Sequence, residues 1–116
     1  MSNQAELTFD ALGDPVRRRI VELLRRGPTP VGALARQLPV GRPAVSKHLK
    51  VLTLAGLTEI HPSGTSNFYS LRPDGMDAAR KWLTEAWDGV LAAYADAARQ
   101  ESPERREPIP SPGAPR

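Results

Sequence analysis

The chain contains no cysteine. A disulfide framework, a thiolate metal site and a thiol redox switch are therefore excluded. No apolar run approaches the roughly 18 residues needed to cross a bilayer, and residues 1–10 lack a basic stretch followed by an apolar one. The expectation is a cytoplasmic protein with no membrane partner. There is no Gly-rich phosphate loop, no nucleophile with a base at hand, and no acid pair that helical spacing would bring into a pocket, so an enzyme is not expected. At 116 residues and 40% apolar content, the chain has room for one domain with a modest core.

Negative charge is almost missing from residues 15–50. There Glu22 stands alone against nine cations: Arg17, Arg18, Arg19, Arg25, Arg26, Arg36, Arg42, Lys47 and Lys50. The whole chain carries only +3, so the rest is acidic on balance. A local surplus of this kind suits a surface that faces phosphates, because each neutralised phosphate releases counterions.

What is present is a clear order of elements. Behind Asp14 as N-cap and Pro15 at N1, the helical spacing of Val16, Ile20, Leu23 and Leu24 predicts a helix that Gly27-Pro28 stops. A shorter helix is expected next, with Thr29 as N-cap, Pro30 at N1, and Val31, Leu34, Ala35 and Leu38 as its apolar stripe. After a turn at Val40-Gly41, a third helix runs from about Arg42 to Ala55, with Val45, Leu49 and Leu52 inward and Gly56 at C′. Pro43 is tolerated because it falls in the first turn.

The period then changes to alternation. Residues 57–62 and Phe68-Tyr69-Ser70-Leu71 read as two strands around the turn-rich Ser63-Gly64-Thr65-Ser66, a short β-hairpin. A last helix is expected from near Pro73-Asp74 to about Gln100. It carries Met76, Ala79, Trp82, Leu83, Ala86, Trp87, Val90, Leu91 and Tyr94 on a wide stripe. From Ser102 onward, prolines and mixed charge without apolar period indicate a disordered tail, leaving residues 1–101 as the ordered domain and 102–116 outside it. The fold class is mainly α with a small β-hairpin.

Two helices joined by a short turn, the second rich in polar side chains, form the helix-turn-helix arrangement whose second helix enters the major groove of double-stranded DNA. With Val45, Leu49 and Leu52 inward, helical geometry turns Arg42, Ala44, Ser46, Lys47, His48 and Lys50 outward. Arg42 and Lys47 suit guanine O6 and N7, Ser46 suits a base edge or a phosphate, and the Ala44 methyl suits a thymine methyl. Arg36 and Arg26 are candidate phosphate contacts. The hairpin becomes a wing whose tip has no Arg or Lys, so its contacts are expected to be hydrogen bonds from Ser63, Thr65, Ser66 or Asn67.

The strings Phe9-Asp10-Ala11-Leu12-Gly13-Asp14-Pro15-Val16-Arg17-Arg18-Arg19-Ile20, Arg42-Pro43-Ala44-Val45-Ser46-Lys47-His48-Leu49-Lys50-Val51-Leu52 and Ala55-Gly56-Leu57 resemble the ArsR/SmtB family of winged helix-turn-helix repressors. The resemblance covers roughly residues 7–98. It implies a transcriptional regulator, a homodimeric repressor at the nucleoid that binds an inverted repeat, frequently at its own operon. By position, it implies DNA contacts from Arg42, Pro43, Ala44, Ser46, Lys47 and His48. It also implies dimerisation through the N- and C-terminal helices, with Leu7, Phe9, Leu12, Trp82, Trp87, Val90, Leu91 and Tyr94 at the interface. Trp82-Leu83 and Trp87 point to the cysteine-free branch that senses no metal. The sequence departs from the family in two places: Gly41 replaces the common Ser or Asp cap of the recognition helix, and Gly64-Thr65 replaces the common Gly-Arg of the wing.

A physical argument also favours the dimer. A helix from Asp74 to Gln100 would be about 40 Å long at 1.5 Å per residue, more than a domain of this size covers, so Trp87, Leu91 and Tyr94 need a partner surface. The acidic residues Asp74, Asp77, Glu85, Asp88 and Asp96 lack a histidine on the same helix and read as a solvated face; His61 with Glu59 is a poor metal set. No metal and no cofactor is expected. Regulation is open between a constitutive autorepressor and a small apolar effector near Trp82, Trp87 and Tyr94. The alternative function is a protein-interaction module that turns its basic face to an acidic partner. Such a module would expose apolar anchors on the recognition helix.

Overall fold

The computed structural model describes residues 2–100. The expected disordered tail, 102–116, lies outside them. Residues up to Leu83 form one compact unit and those from Thr84 belong to a second.

The chain opens with a helix that no apolar stripe announces. In α1 (Asn3–Leu12), Ser2 is the N-cap and its Oγ accepts from the Ala5 N–H at 3.1 Å. Its buried face is Ala5, Thr8 and Ala11, with the Thr8 hydroxyl donating to the Gln4 carbonyl. Small residues let α1 lie close to its neighbours, and the Gln4 amide donates to the Ala55 carbonyl at the far end of the recognition helix.

The helix α2 (Pro15–Leu24) starts as expected. Asp14 Oδ1 accepts from the N–H groups of Val16 at 2.8 Å and Arg17 at 3.1 Å, and Pro15 enters the first turn. The Arg17 N–H bond is the largest cause holding the Asp14 carboxyl below its ordinary value; the Val16 bond, the charge of Arg17 and, in its protonated form only, His48 add to it against desolvation. Ile20, Leu23 and Leu24 are buried.

Thr29 and Pro30 do not begin a helix. They form β1 (Thr29–Pro30), pairing antiparallel with Tyr69 and Phe68, so the hairpin becomes a three-stranded sheet in the order β1-β3-β2. Proline lacks an N–H and is admitted on an edge strand of this kind. The helix behind it, α3, is correspondingly short (Val31–Ala35), ending before Leu38, with Pro30 as its N-cap and Leu34 buried.

The recognition helix α4 (Arg42–Leu54) buries Val45, Leu49 and Leu52. Its end is a Schellman motif, in which the Gly56 N–H donates to the Thr53 carbonyl and the Leu57 N–H to the Leu52 carbonyl, both at 3.0 Å. Gly56 takes a φ of +77° there, a conformation strained for residues with a Cβ. The motif delivers the chain into β2 (Thr58–Ser63), which pairs with β3 (Ser66–Leu71) from Thr58↔Leu71 to Ser63↔Ser66 around Gly64-Thr65. Buried Thr58 shares a hydrogen bond of 2.9 Å with Thr53, tying the wing to α4.

The core of the first unit joins Ala11, Ile20, Leu23, Leu24, Leu34, Val45, Leu49, Leu52, Ala55 and Leu57. Turn residues occupy 73–76, so α5 (Asp77–Gln100) begins three residues later than the sequence pattern implies. Buried Gly75 explains the delay: a Cβ there would meet the Gly56 carbonyl oxygen at 2.9 Å and the Leu57 Cα at 3.1 Å, so the chain passes tightly over the α4 end before it turns helical. Within this unit, Ala79 of α5 is buried and Trp82 meets Phe9 edge to face with centroids 5.6 Å apart. In the second unit, residues 84–100 are helical and almost wholly exposed.

Among the described residues, no helix is long and apolar enough to cross a membrane.

Candidate nucleic-acid interface

The sequence-predicted reading residues divide by position on α4. Arg42, Pro43, Ser46, Lys47 and Lys50 are exposed, and Ala44 and His48 are half-buried beside the buried Val45 and Leu49. Gly41 offers no side-chain cap. With Pro43 lacking an N–H, the amides of Arg42 and Ala44 are the first-turn donors left without a cap.

The wing comes to the same place. Arg42 and Ser46 share a cleft of about 290 Å³ with Thr65, Ser66 and Asn67 of the wing, floored by Tyr69 and the β1–α3 junction at Pro30 and Val31. A neighbouring groove of about 320 Å³ lies between Ser46, Lys50, Thr53 and Leu54 of α4 and Ile60 of β2. Of the expected contacts, Arg42, Ser46, Lys50, Thr65 and Ser66 thus line two adjoining hollows that share Ser46 and Tyr69, whereas Pro43, Ala44, Lys47 and His48 line neither. Arg36 joins Arg42 from α3: a Cβ on Gly32 would stand 3.7 Å from Arg42 Nη1 and 4.0 Å from Arg36 Nη1, so both guanidinia gather over the start of α3.

Electrostatics separate the basic residues into two groups. Ion pairs of arginine with carboxylates among the described residues are Arg19–Glu22, Arg72–Asp74, Arg80–Asp77 and Arg99–Asp96. Arg36, Arg42, Lys47 and Lys50 are in none of them. A cation with no internal partner keeps its full charge for an incoming phosphate or base edge. Arg17 and Arg18, by contrast, are spent on the end of α1, where they donate to the carbonyls of Asp10, Ala11 and Leu12. The Ala11 and Leu12 carbonyls have no partner within the helix, the Asp10 carbonyl has only the Gly13 N–H at 3.2 Å, and cations are favourable at that end. In the sequence, these two arginines are indistinguishable from their neighbours in a basic run; only the turn at Gly13 and Asp14, which sets the start of α2 against the end of α1, gives them different work.

His48 has a partner that the sequence did not reveal. Its Nδ1 lies 3.3 Å from Nη1 of Arg17, across from α4. His61 is held within the wing by Ser70 at 2.8 Å and Glu59 at 3.4 Å. Among the described residues, no group of three or more His, Asp or Glu side chains is placed to hold a metal.

The residues expected at a dimer interface are not alike. Phe9 and Trp82 contact each other within the chain, and Leu12 packs partly on the core. Leu7 is 40% exposed, and Trp87, Val90, Leu91 and Tyr94 are 63%, 52%, 63% and 61% exposed. The last four stand at i, i+3, i+4 and i+7 on one helical face.

Comparison with known proteins bears directly on this surface. A family described as a helix-turn-helix domain matches residues 12–61, from the end of α1 into the first strand of the wing. The HTH-type transcriptional regulator Rv2034 of Mycobacterium tuberculosis is 52% identical over 87 residues, covering 75% of this chain and 81% of that protein. The transcriptional repressor SdpR of Bacillus subtilis is 32% identical over 75 residues, covering 65% of this chain and 83% of its own length. Among solved structures, an ArsR-like transcriptional regulator from Rhodococcus sp. RHA1 superposes with a TM-score of 0.70 at 30% identity, covering 85% of this chain and 94% of that one. The homodimeric winged helix-turn-helix DNA-binding domain Mb0332 of Mycobacterium bovis, a fragment, gives 0.59 at 27% identity, covering 86% and 88%.

Proposed function

Because the chain belongs to the ArsR family of winged helix-turn-helix proteins and is a DNA-binding transcriptional regulator, we propose that it acts as a homodimeric repressor on an inverted-repeat operator, its own promoter included. In this reading α4 lies in the major groove. Arg42 and Lys47 read guanine, Ser46 and His48 bond base edges or phosphate, Ala44 and Pro43 pack against the groove wall, and Lys50 and Arg36 hold phosphates. Thr65 and Ser66 of the wing add neutral hydrogen bonds. The observation that carries the reading is the cleft shared by Arg42, Ser46 and the wing tip, set among cations that have no acidic partner.

Two copies are needed because the face of Trp87, Val90, Leu91 and Tyr94 is exposed in the single chain. A second copy, meeting it through α1 and α5, would bury that face and place two recognition helices on successive half-sites. The protein then works on the chromosome in the cytoplasm, and its own concentration is the simplest regulator of a constitutive autorepressor. The protein-interaction alternative is not favoured: the similar proteins are helix-turn-helix transcriptional regulators and repressors, and the exposed apolar residues of α4, Val51 and Leu54, lie in its C-terminal half, whereas Arg42, Ser46 and Lys47 occupy the half that would enter the groove.

The test is an anisotropy titration of the protein on the region upstream of its own gene, with scrambled duplex as competitor, at two salt concentrations. Binding at least about tenfold tighter than to the scrambled duplex, saturating at one dimer per site, is expected. Binding that ignores sequence and vanishes with salt would refute the autorepressor reading.

A further inference from the structure

The guanidinium of Arg17 bridges two elements. Its Nε donates to the Ala11 carbonyl at 2.6 Å, its Nη2 to the Asp10 carbonyl at 3.2 Å, and its Nη1 lies 3.3 Å from His48 Nδ1. The backbone of Arg17 is fixed as well, since its N–H donates to the Asp14 carboxylate. The side chain is therefore held at both ends before it reaches the recognition helix.

A guanidinium has donors only. A bond from Arg17 requires a lone pair on Nδ1, and a neutral imidazole with a lone pair there carries its proton on Nε2. No protein group among the described residues takes that proton. The side chain sits on α4 next to Lys47, between the buried Val45 and Leu49.

We propose that Arg17, from outside the recognition helix, positions His48 as its Nε2–H tautomer, so that α4 meets the duplex with a neutral hydrogen-bond donor at residue 48. The partner is an acceptor on the DNA, either a base edge or a phosphate oxygen. The proposal rests on the DNA-binding reading above. It makes Arg17 a positioning residue and gives it a role that its neighbours in the basic run do not share, since Arg18 holds the Leu12 carbonyl and Arg19 pairs with Glu22. Tautomer choice matters because the Nδ1–H form would present a lone pair where the duplex needs a donor, leaving both groups unpaired in the interface.

Two measurements on the full chain test it. The first is a long-range ¹H–¹⁵N spectrum of the imidazoles above their titration range. His48 is expected as a single tautomer with Nδ1 bare; Arg17→Met is expected to give a mixture, and Arg17→Lys, which keeps a donor and the charge, to recover part of the ordered form. The second uses a duplex selected from a random pool by the wild-type chain, against scrambled duplex. Arg17→Met and His48→Ala are each expected to lose about tenfold in affinity, and the double variant to lose no more than His48→Ala alone. His48→Gln, which keeps an amide donor, is expected to retain most of the binding.

If the acceptor is a base, the loss disappears on duplexes changed at one base pair. If it is a phosphate, the loss is equal on all sequences; in both cases His48→Ala leaves the salt slope unchanged, because a neutral donor displaces no counterion. A mixed or Nδ1–H tautomer in the wild-type protein would overturn the proposal, as would losses that multiply in the double variant. If the wild-type chain selects no sequence at all, the DNA reading fails and the aim of the donor with it, whereas the spectra still report whether Arg17 holds the ring.

Discussion

Among the single residues, the decisive contrast is between cations that have internal partners and cations that do not. Arg42 stands in the cleft with the wing and has no acidic neighbour, so Arg42→Ala is expected to cost about 1–3 kcal/mol and to relax preference at one base position. Arg36→Ala is expected to weaken all sequences alike and to lower the salt slope by about one. Salt-dependent titrations on the selected and scrambled duplexes separate the two; equal losses on every sequence for both variants would undo the assignment of roles. Asp14 carries a pH prediction. Its carboxyl is held below its ordinary value mainly by the Arg17 N–H, so the ionised cap stabilises the fold fully above the unfolded carboxylate value and loses that contribution as pH falls through the lowered folded one. Urea midpoints of the wild-type and Asp14→Ala proteins are therefore expected to differ at pH 7 and to converge in acid.

The elements differ in how plainly the sequence announces them. The recognition helix was legible because Val45, Leu49 and Leu52 repeat with its period and Gly56 closes it; α2 was legible from Asp14, Pro15 and the stripe ending at Leu24. By contrast, α1 was not, because its buried face is Ala5, Thr8 and Ala11, which carry too little hydrophobicity to show a period. β1 was misread as a helix start because Thr-Pro is a good helix opening locally, and only pairing with Tyr69 and Phe68, some 40 residues away, makes it a strand. Gly75 was silent for a related reason: its constraint is the closeness of Gly56 and Leu57, which no local pattern encodes. The Schellman end of α4 gives a direct prediction. Gly56→Ala forces a Cβ into a φ of +77° with the Gln4 amide nitrogen 3.0 Å away, and is expected to cost about 1–2 kcal/mol in denaturant unfolding. A neutral result would mean that the wing does not depend on this cap.

The candidate site was legible in kind but not in arrangement. The outward set on α4 and the hydrogen-bonding wing tip follow from period and turn chemistry. That Arg17 leaves the basic surface to hold His48 and the end of α1 depends on how the start of α2 is set against the end of α1 after Gly13, which is a tertiary fact.

For the whole molecule, the proposal stands on two copies. Leu91→Glu places a charge in the exposed face of Trp87, Val90, Leu91 and Tyr94, where a monomer would tolerate it. Sedimentation is expected to show a dimer for the wild-type protein and a folded monomer for the variant, with binding to the selected duplex lost or reduced to its non-specific level. An unchanged dimer would move the interface elsewhere.

The claim that α4 and the wing together read DNA is tested most directly by following backbone amide shifts across residues 2–100 as the selected duplex is added, with scrambled duplex as the control. The account predicts that sequence-specific changes concentrate at Arg42–Lys50 and at Thr65–Asn67, while Trp87–Tyr94 stay fixed. Changes centred on α5, or changes identical for the two duplexes, would contradict it.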